Sequence, residues 1–192
     1  DLHFTQSIYI NSFIETVDGI QILNGSGTWS FRPETEQLEV FSRGLVNPWG
    51  EGFDEWGQAF ATDGAGGSGI NYIFPESAHM TAVGAASVLR GLNSGTPKNT
   101  AAEVIYSRHF PQDWQGSIVT NDYRANRTVR YAIKPYRSGY TSKEVETVLH
   151  SDHRSYRPVD TKIGPDGALY IVDWYNPIIA HGEVDFHHPS RD

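Results

Sequence analysis

The chain has 192 residues, 38% hydrophobic and 20% charged, which excludes a disordered polypeptide and leaves room for an ordinary buried core. Its formal net charge of -8 excludes the clustered basic surface that a nucleic-acid backbone requires, and the absence of cysteine excludes disulfides and thiolate metal sites. Nineteen glycines, ten prolines, five tryptophans, ten tyrosines and nine phenylalanines against one methionine favour strands and tight turns, so the expected class is all-β.

In chain order, the first predicted strand is Leu2–Gln6, two or three strand formers followed by a small polar residue and an acid or amide. Outer strands follow at residues 19–23 and Gly27–Arg32, where apolar and polar residues alternate with period two. The turn Asp54-Glu55-Trp56-Gly57 then leads into a second copy of the strand pattern, Ala59–Asp63. The glycines at 64, 66, 67 and 69 lack the Gly-Lys-Ser/Thr ending of a phosphate loop, which excludes that reading. Residues 77–103, rich in Ala, Gly, Ser and Thr, are expected to form a loop or cap with a short helix near 85–89. Gln112-Asp113-Trp114-Gln115-Gly116 precedes the third copy, Ile118–Asp122, and an alternating strand follows at 128–133. Gly164-Pro165-Asp166-Gly167 precedes the fourth, Leu169–Asp173. The Asp and Gly residues of these turns supply side-chain capping and positive φ, so each reads as a hairpin.

Gln6, Asp63, Asp122 and Asp173 are separated by 57, 59 and 51 residues, a repeat that suits a four-stranded blade with one long loop. A blade has two apolar faces and buries them only by stacking radially on neighbours, so the predicted fold is a partial β-propeller of about three to four blades of a six-bladed ring. The whole of 1–192 is expected to be a piece of a single propeller domain, with partner sequence on both sides. No apolar run is long enough to span a bilayer, and the first residues are not a signal peptide.

Ordered motifs add a resemblance. Gly44-Leu45-Val46-Asn47-Pro48-Trp49-Gly50 with Asp54, Gly57 and Asp63-Gly64, then Phe110-Pro111, Trp114-Gln115-Gly116-Ser117 and Asn126-Arg127, then Arg157-Pro158-Val159-Asp160 and Gly164-Pro165-Asp166-Gly167-Ala168-Leu169-Tyr170, resemble successive blades of glucose/sorbosone dehydrogenase-type propellers. Ser7-Ile8-Tyr9-Ile10-Asn11-Ser12 and Asp173-Trp174-Tyr175-Asn176-Pro177 are closer still to large secreted bacterial proteins labelled membrane-bound dehydrogenases. The resemblance implies a soluble-quinoprotein-like site on the propeller axis. Such a site holds pyrroloquinoline quinone and calcium, oxidises a sugar or polyol, and passes electrons to a c-type haem module of the parent protein. It also implies a periplasmic or extracellular location. Carried over, Asn47 contacts the cofactor and the carbonyls of Gly64 and Ala65 hold calcium, with Asp63 beside them. Val46 departs from the pattern, standing where the family has an arginine, and the family's histidine base would lie upstream of Asp1.

Each candidate has a structural alternative. Asn47-Pro48 reads equally as a turn, and Asp63, Asp122 and Asp173 either converge near the axis or cap turns. Arg124 and Arg127 either offer forked donors to a carboxylated ligand or bridge blades through acids. His150, His153, His187 and His188 read as loop residues, whereas His181, just after residues 173–177, is the one histidine to consider as a catalytic group. Most of the tryptophans are expected to pack between blades, with a sugar-stacking platform as the alternative. Three activities compete: a quinone-dependent sugar dehydrogenase, a non-catalytic propeller that binds a glycan or protein, and a calcium-dependent lactone hydrolase.

Overall fold

The computed structural model describes residues 1–65, 69–93, 95, 97–178, 187 and 189. Among them no helix is long and apolar enough to cross a membrane. The chain opens with β1 (Leu2–Gln6), followed by a hairpin of β2 (Asn11–Thr16) and β3 (Gly19–Asn24). It continues through β4 (Gly27–Arg32) and β5 (Gln37–Arg43), with β4 between β1 and β5 in one antiparallel sheet. A second sheet is the meander β6 (Pro48–Phe53), β7 (Ala59–Asp63) and β8 (Ile70–Ile73). After it, the two-residue β9 (Ser77–Ala78) returns to lie parallel to β5. The third sheet is the four-stranded meander β10 (Asn99–Val104), β11 (Ile118–Asp122), β12 (Arg127–Tyr136) and β13 (Gly139–His150). β14 (Pro158–Ile163) and β15 (Leu169–Asp173) form the last hairpin.

The sheets fan about a common line. β6 packs on β10 and β10 packs on β14, while β1, β7 and β11 pack on β6, β10 and β14 respectively. The copies of the repeat pattern in β1, β7 and β11 thus hold one structural position, each against the opening strand of the next sheet. That is the radial arrangement of a propeller, as the repeat spacing predicts. Apolar residues fill the wedges. Phe60 and Ile70 of the second sheet meet Ala102, Ile118, Val129 and Tyr131 of the third, and Leu45, Ala59, Ala61 and Ile73 gather with Phe41 between the first and second. Closest to the line, β6 and β10 approach backbone to backbone, since a Cβ on Gly50 or Gly52 would overlap Ala101 or the Ala102 carbonyl. The wedge between the third sheet and the last hairpin is polar and satisfied: Asn121 Oδ1 accepts from Thr128 Oγ1 at 2.7 Å and from Thr161 Oγ1 at 2.8 Å.

The three predicted hairpin turns are present, with Gly57, Gly116 and Gly167 at φ of 76°, 74° and 80°. Asp54 Oδ1 accepts the N–H groups of Trp56 and Gln58, and Asp166 Oδ1 accepts that of Ala168. Two local expectations are corrected. Residues 85–89 are turn, bend and bridge rather than helix, because Leu89 is tied to the sheet edge through its N–H to Ala78 and a parallel bridge to His79. The strand at Gly19–Asn24 is not an outer strand of the first sheet but half of the inserted hairpin. That hairpin is held by Gln6, whose amide donates to the carbonyls of Ile10, Leu23 and Gly25.

Candidate functional site

At one end of the fan the loops that follow β1, β7, β11 and β15 and those that precede β6 and β10 enclose a cleft of about 490 Å³. Its walls are Ser7, Ile8 and Tyr9, then Val46, Asn47 and Trp49, then Ala65, Lys98, Tyr123, Arg124, Val159 and Trp174. Three of the residues singled out from sequence, Asn47, Ala65 and Arg124, therefore come together from three different loops, and Gly64 stands beside them. The Gly64 N–H donates to the Asn47 carbonyl at 2.9 Å, and a Cβ on Gly64 would press on the Trp49 ring at 3.0 Å. The missing side chain keeps the space between Trp49 and Asn47 open.

Asp63 shapes this corner. Its Oδ2 accepts the Val46 N–H at 2.9 Å, and its Oδ1 accepts those of Asn47 at 3.1 Å and Ala65 at 3.0 Å. The carboxylate is fully buried and both oxygens are committed to backbone, so it clamps the loop before β6 onto the loop after β7. Asp173 does the same one position on, its Oδ1 accepting the N–H groups of Arg157 at 2.7 Å and Tyr175 at 2.8 Å. The turn-capping alternative thus describes both residues. Asp122 instead faces Arg127, 3.8 Å from its Nη2.

Arg127 lies outside the cleft. It forms a fork on Glu144 across β12 and β13, with Nη1 to Oε1 at 2.6 Å and Nη2 to Oε2 at 3.3 Å, so it bridges strands within one sheet. The Glu144 carboxylate and the Asp122 charge hold its guanidinium pKa above the usual value, against the lowering effect of burial. The described histidines lie elsewhere. His150 is paired with Asp152 at 3.6 Å on the surface, and the His153 ring stacks on Tyr175 with centroids 5.5 Å apart. His187 is exposed, and His181 and His188 lie outside the described residues. Among the tryptophans only Trp29 is buried between elements, its Nε1 donating to Gln6 Oε1 at 3.1 Å. Trp49 and Trp174 stand half-exposed on the cleft, and Trp114 packs on Phe110 beneath the Arg130 guanidinium.

Sequence reading missed Lys98, Tyr123 and the neighbouring Arg157. Tyr123 follows Asp122 directly and donates its hydroxyl to the Gly64 carbonyl at 3.4 Å, joining two adjacent loop ends. Burial raises its hydroxyl pKa, and the charges of Arg124 and Arg157 oppose that rise. Position after the third copy of the repeat was the signal that could have found Tyr123. Lys98 sits alone in the 77–103 segment and offered no such signal.

Solved structures share the fold. An oxidoreductase described as a glucose dehydrogenase from Thermus thermophilus superposes with a TM-score of 0.58 at 22% identity, over 80% of this chain and 45% of that one. A second glucose dehydrogenase gives 0.57 at 18% identity, over 76% and 46%. The pyrroloquinoline quinone-bound form of aldose sugar dehydrogenase from Streptomyces coelicolor gives 0.50 at 16% identity, over 81% and 44%. The chain therefore has a glucose/sorbosone dehydrogenase-like propeller fold and spans less than half the length of these proteins. No curated protein sequence matches it. Residues 73–192 match the family described as Domain of unknown function (DUF7133), and the chain belongs to that family.

Proposed function

We propose that this chain is part of a dehydrogenase-like propeller that oxidises a sugar or polyol with pyrroloquinoline quinone seated in the loop-end cleft. One observation supports the reading above the rest: Asn47, the residue that the motif assigns to the cofactor, shares that cleft with Arg124, Lys98 and the aromatic walls Trp49, Tyr123 and Trp174. A planar tricarboxylate suits such a lining, because aromatic faces cover its rings while amide and cationic donors take its carboxylates. The space beside Gly64 provides the room that a flat ring system needs next to Trp49. When bound, the quinone supplies a two-electron acceptor for the alcohol. The chain's own contribution is to bind and orient: Arg124 and Lys98 fix the acidic edge, Asn47 donates from the side, and the indole rings exclude water from the faces.

The residues suit calcium less well. Gly64 and Ala65 offer carbonyl oxygens, but the Asp63 carboxylate is spent on three backbone N–H groups. Among the described residues no three carboxylate or imidazole groups converge on one point. A proton acceptor is not among the cleft-lining residues. Under this reading the protein works in the periplasm or outside the cell and hands electrons to an acceptor such as a c-type haem module. The test is dye reduction by the chain, within its parent protein, with added quinone and a panel of sugars and polyols; no substrate-dependent reduction overturns it.

A second reading, a glycan-binding propeller without turnover, draws support from the exposure of Trp49, Trp174 and Tyr9 at 47%, 49% and 87%. Saturable binding of an oligosaccharide with no dye reduction would favour it. The lactone hydrolase alternative needs converging carboxylates, and Asp63 and Asp173 are engaged in capping.

A further inference from the structure

The cleft concentrates positive charge in a chain whose net charge is -8. Lys98 and Arg124 line it, and neither forms a salt bridge with a described residue. Behind the wall made by Tyr123 and Trp174 lies Arg157, only 8% exposed. Its Nη1 reaches two backbone carbonyls, those of Tyr123 at 3.4 Å and Tyr156 at 3.2 Å, and its Nε is buried without a partner. Asp173 acts on it electrostatically, but the Asp173 Oδ1 is held by the N–H groups of Arg157 and Tyr175. A buried guanidinium with no paired carboxylate is costly unless an anion nearby offsets it. Two further cations without counter-ions facing the same cavity make the local field one that attracts anions and repels a divalent cation.

We infer that the cleft retains a planar polycarboxylate through Lys98, Arg124 and the field of Arg157 alone, with no calcium ion. The inference rests on the cofactor reading above and departs from the metal that the resemblance implies. Its physical content is a substitution of charge: fixed cationic side chains do the neutralising that a calcium ion would otherwise do, and the acid nearest the cleft serves the backbone instead.

The test titrates the full chain with pyrroloquinoline quinone, following quenching of tryptophan fluorescence, once in EDTA and once in excess calcium. The expected result is the same affinity in both buffers, and for Arg124→Gln and Lys98→Gln a weakening of about tenfold or more, the loss of a charge-assisted hydrogen bond. Circular dichroism confirms that both variants fold, since each side chain reaches solvent. Quenching that requires calcium, or variants that bind like the wild type, overturns the charge inference while leaving the cofactor reading in place. No quenching in either buffer overturns the cofactor reading and the inference with it.

Discussion

Replacing Asp63 with alanine removes the acceptor for three backbone N–H groups at 2.9, 3.1 and 3.0 Å. A buried donor left without a partner costs about 1–3 kcal/mol, so three fully dry donors would cost up to ~9 kcal/mol. Val46, Asn47 and Ala65 are half-buried at the cleft wall, and water entering there recovers part of the loss. The expected destabilisation is therefore about 3 kcal/mol, a large share of the roughly 5–15 kcal/mol that holds a typical domain together. Asp63→Asn keeps one acceptor oxygen and should lose about half as much. Urea unfolding followed by tryptophan fluorescence gives both values. A second arm repeats the wild-type curve in EDTA: a clamp predicts an unchanged midpoint, whereas a metal ligand predicts a lower one. If Asp63→Ala unfolds within ~0.5 kcal/mol of the wild type, the ordinary range of a surface substitution, the clamp is refuted.

Burial pushes the Glu51 carboxyl up to about 7 from the ordinary 4.5, so the folded chain holds that proton more tightly than the unfolded one. Its contribution is full below about pH 4.5 and declines as pH rises through 7, by about 2–3 kcal/mol. Melting curves across that window should therefore flatten on the alkaline side in Glu51→Gln. Its partner His3, 3.0 Å away, is pushed below its usual value by burial and then by the N-terminal charge. It acts in the opposite sense, costing stability as pH falls through the histidine range. Gly52→Ala forces a Cβ onto the Ala102 carbonyl and should cost about 1–3 kcal/mol by chemical denaturation; an unchanged midpoint would show that β6 and β10 can move apart. Gln6→Ala removes three amide contacts to the β2–β3 hairpin and should render residues 11–24 susceptible to limited proteolysis before the rest of the chain unfolds.

The repeat was legible because its signals are local. Period-two alternation marks the strands, and Gly57, Gly116 and Gly167 carry the positive φ that their turns demand. The equivalence of β1, β7 and β11 follows from the same signals, since each meets the opening strand of its neighbouring sheet. What sequence could not reveal depends on contacts far apart in the chain. The inserted hairpin is indistinguishable from an outer strand until Gln6 is seen gripping it, 19 residues from Gly25. Residues 85–89 are rich in small side chains that tolerate a helix, but a backbone bond from Leu89 to Ala78 decides otherwise. At the cleft, Asn47, Ala65 and Arg124 carried motif or repeat signals, whereas Lys98 acquires meaning only when three sheets bring their loop ends together. Arg127 had the same signal as Arg124, yet three residues further along it has entered β12 and turned onto Glu144.

The contact of β6 with β10 through Gly50 and Gly52 has a consequence for how this scaffold tolerates change. Where main chain rests on main chain, no exchange of side chains can widen or narrow the gap, so the spacing of the two sheets at the hub is invariant. Trp49 stands one residue before that contact, on the rim. Its substitution therefore resizes the mouth of the cavity while the framework below keeps its dimensions, which makes this position a selectivity dial for redesign of the occupant.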